Sequence, residues 1–77
     1  MITEQTQADL TRLESIEATF NELTASYNSG TLTTELYIDE LRQLPLQEIA
    51  FDEERHQEKH TRLRNLIAHQ LLLAENS

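Results

Sequence analysis

An all-α fold is predicted by three features of this chain. Apolar residues recur at steps of three and four along two long segments, as they do on one face of a helix. Punctuation is confined to one glycine and one proline. Residues suited to capping helices flank the apolar segments. The architecture expected from these features is an antiparallel hairpin of two long helices with a short helix between them. Its apolar faces suit a dimeric or higher helical bundle.

The first segment carries Leu13, Ile16, Phe20, Leu23 and Tyr27 at alternating steps of three and four. Thr3 or Thr6 can cap its start, and Asn28, Ser29 and Gly30 supply a stop. A helix over about residues 5–28 follows. In the next segment, Thr33 is placed to cap a helix whose Leu36, Tyr37, Leu41 and Leu44 share a face, with Leu32 able to staple onto Tyr37. Glu35 suits the positive end of that helix, which is expected over about residues 34–44. Pro45 either opens a third helix, where its missing amide costs nothing, or kinks one long helix. The third helix is expected over about residues 46–75, with Leu46, Ile49, Ala50, Leu63, Leu66, Ile67, Leu71 and Ala74 as its apolar positions. A helix of that length spans about 45 Å, more than the rest of a 77-residue chain covers. Part of its apolar face is therefore expected to meet another subunit.

A chain of 77 residues forms one domain at most and gains stability from disulfides, metals or self-association. Cysteine is absent, which removes the first option and all thiolate chemistry. No apolar run approaches the length of a membrane span and no secretory leader opens the sequence, so a cytoplasmic protein is expected. The net charge is −8, and it is unevenly spread. Residues 1–54 hold twelve acids and two bases, net −10, whereas residues 55–77 hold two acids and four bases, net +2. Such a field repels nucleic acid backbones and suits a basic surface on a protein partner.

The run EERHQEKH, residues 53–60, interrupts the leucine seam of the third helix. Glu53, His56 and His60 fall at helical spacing on the face that Ile49 and Leu63 occupy. Carboxylate and imidazole groups on adjacent turns can ligate one metal, and the histidine pair suits zinc or copper, but they supply too few donors to complete a site alone. Two other readings stay open. One is a solvated stretch with surface ion pairs where the third helix projects beyond the others. The other is a histidine contact that responds to pH.

The segment EIAFDEERH, residues 48–56, resembles the ligand helix of ferritin-like proteins, and FNELTASY, residues 20–27, is similar to the helix that carries their single ligand glutamate. The resemblance implies that Glu22, Glu53 and His56 form half of a di-iron site. A second subunit would complete it, as in two-helix encapsulated ferritins.

No nucleophile elbow or phosphate loop is present, and Asp39 with Glu40 or Asp52 with Glu53 point in different directions on a helix. The function expected first is a small, acidic, non-enzymatic interaction module without a cofactor, binding or inhibiting a protein partner in the manner of phage inhibitors or antitoxins. Asp39, Glu40, Phe51, Leu66 and Leu71 are its expected contact residues. The alternative is a ferritin-like iron-binding or ferroxidase subunit sharing its metal across a dimer.

Overall fold

The computed structural model describes residues 4–46, 49 and 54–76. It is all-helical, with α1 spanning Glu4–Asn28, α2 spanning Thr34–Arg42 and α3 spanning Glu54–Glu75. No strand occurs among the described residues. The molecule measures 44 × 19 × 16 Å between its Cα extremes.

Along α1, Asp9, Leu13, Ile16 and Phe20 are buried, and Leu23 and Tyr27 pack against the core beside them. These positions advance by four and three alternately, which keeps one stripe of a 3.6-residue helix facing inward. α1 stops where the backbone turns left-handed at Gly30, whose φ is +83°. The amide of Gly30 donates to the Tyr27 carbonyl and that of Thr31 to the Ser26 carbonyl. Together they form a Schellman closure, which glycine permits because it carries no Cβ.

The Thr33 hydroxyl oxygen then accepts from the Leu36 amide at 3.3 Å, capping α2 as its side chain predicts. α2 sends Tyr37 and Leu41 inward, one helical turn apart. Tyr37 is fully buried, and its hydroxyl accepts from Thr24 of α1 at 2.8 Å while donating to Oε1 of Gln70 of α3 at 3.5 Å. One phenol thereby joins all three helices. Leu36 is 52% exposed, so it does not belong to the inner face with Tyr37 and Leu41; Ile38 packs against the core instead.

Two expectations are corrected by this architecture. First, no single helix runs from residue 46. The chain leaves α2 through Leu44 and Pro45 into a 3₁₀ turn at Leu46, Ile49 is not helical, and α3 starts at Glu54. Pro45 therefore neither opens nor kinks α3; it lies in the connector, where its ring keeps Leu44 out of helical geometry. Leu46 and Ile49 are buried all the same, so the connector carries part of the core.

Second, the two long helices run in the same direction and do not form an antiparallel hairpin. Thr24 and Gln70 meet at the Tyr37 hydroxyl, an offset of 46 positions (70 − 24). Residues 10–21 of α1 and 59–66 of α3 line one groove at a matching offset. An antiparallel pair with Thr24 beside Gln70 would carry those two stretches to opposite ends. The reversal comes after α2: Arg42 pairs with Glu75 at the end of α3, whereas the Leu46 carbonyl already meets His60 near its start.

Candidate functional site

Of the stripe singled out in the sequence, His56 enters the core. His56 is 3% exposed and occupies the position on α3 that leads into Leu63, Ile67 and Ala74. Glu54, Arg55, Gln57, Glu58 and Lys59 around it are exposed, so the stretch is solvated on all but the side that His56 and His60 turn inward. Asp9 is 7% exposed at the corresponding position of α1. The offset of 46 positions places Asp9 level with residue 55. The two buried polar side chains among the described residues thus sit at one height on facing seams.

His60, one turn further, is partly buried, and its Nε2 lies 2.8 Å from the Leu46 carbonyl oxygen. A carbonyl only accepts, so Nε2 carries the proton and donates. The Leu46 carbonyl also receives the Ile49 amide at 3.2 Å. His60 therefore latches the 3₁₀ turn of the connector onto α3.

Among the described residues named for metal binding, Glu22 lies apart from His56 and His60. Glu22 is exposed on α1. The same offset puts it level with Ala68 (22 + 46), twelve positions beyond His56. At the rise of a helix that is about 18 Å along the axis. Glu53 lies outside the described residues. Among those described, no three of His, Asp and Glu are grouped to hold a metal ion.

Of the residues named for partner contact, Asp39 and Glu40 are exposed on α2, with Asp39 accepting from Gln43 Nε2 at 2.9 Å. Leu66 is 48% exposed, and Leu71 is half-buried beside the core. Phe51 lies outside the described residues. Sequence reasoning missed Leu72 and Leu73, exposed by 57% and 52% on the last turns of α3. Their position outside the three-and-four stripe was the signal available. It also missed Asp9, which a search for apolar residues passes over although its spacing to Leu13 continues the seam.

No described helix is long and apolar enough to cross a membrane. Family models, curated proteins and solved structures yield no match to this chain.

Proposed function

We propose that this chain is a non-enzymatic interaction module that docks an acidic surface, with leucine side chains as apolar anchors, onto a basic surface of a protein partner. The reading is supported by one distribution. Among the described residues, every carboxylate of the acidic region apart from Asp9 is exposed, including Glu35, Asp39 and Glu40 of α2. Leu36, Leu66, Leu72 and Leu73 are exposed as well. Charge of one sign steers and orients a partner, while apolar side chains that lose water on contact supply most of the affinity. An inhibitor or antitoxin-like role in the cytoplasm fits this mode of action.

The test is crosslinking capture from the source cells with the wild-type chain and with the double reversal Asp39→Lys, Glu40→Lys. A partner with a basic surface should be captured by the wild type, released in high salt, and lost with the reversal. Capture unaffected by both changes would contradict electrostatic docking. The ferritin-like alternative requires Glu22 and His56 to be supplied by different chains. Iron titration with and without His56→Ala decides it, since metal-free protein indifferent to Fe(II) rules it out.

A further inference from the structure

The groove between α1 and α3 has walls of opposite charge. Glu14 and Glu17 line the α1 side, Lys59 and Arg62 the α3 side, and Leu13, Ala18, Leu63 and Leu66 contribute apolar surface to it. All four charged side chains are exposed, and none is drawn into an ion pair among the described residues. Their heights match. The 46-position offset sets Glu14 opposite residue 60 and Glu17 opposite residue 63, within one position of Lys59 and Arg62.

We propose that this groove is a self-association surface, closed by a second copy of the chain around a two-fold axis parallel to the long helices. Two symmetric ways of laying groove on groove keep the helices aligned. An axis across the groove sets α1 against α1 and α3 against α3 of the other copy, so like charges meet. An axis along the groove sets α1 of each copy against α3 of the other. Because the offset places acids and bases at one height, Glu14 and Glu17 then face Lys59 and Arg62 twice over. Opposite charges at matching positions select the second arrangement and penalise the first.

Leu66, 48% exposed in the single chain, loses its water in the dimer. The inference rests on the groove; it takes Leu66 from the anchors named above and leaves Leu36, Leu72 and Leu73 with the α2 acids for a basic partner.

Sedimentation equilibrium with the full chain tests it. The mass should rise from the 9.0 kDa of one chain towards twice that value across the micromolar range. Glu14→Lys, Glu17→Lys should weaken association at least tenfold, and so should Lys59→Glu, Arg62→Glu. Mixing the two variants should restore a dimer, because each wall then meets its opposite in the other chain. The lack of cysteine allows a direct test of the axis. Ala18→Cys and Leu66→Cys chains should form a disulfide with each other faster than either forms one with itself. Circular dichroism checks that each variant keeps its helices, as substitutions at exposed positions should. A monomer throughout the concentration range, a dimer indifferent to both charge reversals, or self-pairing of Ala18→Cys over mixed pairing would each overturn the proposal.

Discussion

The ring of Tyr37 lies flat against that of Tyr27, with centroids 4.3 Å apart and planes 5° from parallel. The loop between α1 and α2 is folded back by this contact, which adds to the Schellman closure at Gly30 and the Thr33 cap. Stacking of this kind contributes about 0.5–1.5 kcal/mol beyond the area it buries. It also aims the Tyr37 hydroxyl between Thr24 and Gln70. Tyr37 thus fixes the height of α3 against α1, and with it every relationship across the groove.

Replacement of Tyr37 separates these contributions. Tyr37→Phe keeps the ring and removes the hydroxyl, so it should cost about 1 kcal/mol, the net worth of a typical hydrogen bond plus the partners left behind. Tyr37→Ala empties the centre of the core and should cost about 3–5 kcal/mol, a large fraction of the stability of a domain of this size. Urea denaturation followed by circular dichroism reads both. Equal costs for the two substitutions would mean that the ring contributes nothing.

His60 acts as a latch between the connector and α3. His60→Ala removes the donor to the Leu46 carbonyl and should lower stability by about 1 kcal/mol. The effect should be local. Hydrogen exchange at the Leu46 and Ile49 amides, which close the turn, should accelerate more than exchange at Leu63 or Ile67. Uniform acceleration along α3 would show that His60 supports the helix itself and not the turn.

Asp9 and His56, buried at one height on facing seams, should be energetically coupled. In a double-mutant cycle, Asp9→Leu and His56→Leu should each destabilise the fold, because each removes one of two buried polar side chains at the same height. The double substitution should cost less than the sum of the single ones by at least about 0.5 kcal/mol. Additive costs would place the two side chains in separate environments.

The inward stripes were legible because a helix repeats every 3.6 residues: Leu13, Ile16 and Phe20 on α1, and Leu63, Ile67 and Ala74 on α3, are buried where the spacing places them. The boundary after α1 was legible for a local reason, since Gly30 and Thr33 act through their own backbone and side chain. Spacing says nothing about how one helix is oriented against another, so the parallel course of α1 and α3 escaped it. Leu46 and Ile49 misled because burial in an irregular connector leaves the same apolar signature as burial in a helix. His56 was legible by its spacing on the Ile49 and Leu63 face, whereas Asp9 was hidden for a different reason. A polar residue in a seam reads as a gap until a facing seam supplies a polar residue at the same height. Glu22 and His56, put in one half-site by the resemblance, lie about twelve positions apart in height within the chain.

The opposed walls of the groove, the level placement of Asp9 with His56 and the distance of Glu22 from His56 all follow from the shared direction of α1 and α3. Pulsed electron–electron distance measurement on spin-labelled pairs tests it directly, with labels on cysteines introduced into a chain that has none. Labelled chains are diluted in unlabelled protein so that only distances within one chain are read. Thr11 and Gln57 are 46 positions apart and both exposed, as is Leu72. A label at Thr11 should lie close to one at Gln57 and about 20 Å further from one at Leu72, fifteen residues along α3. A short Thr11–Leu72 distance with a long Thr11–Gln57 distance would show an antiparallel pair and contradict the account.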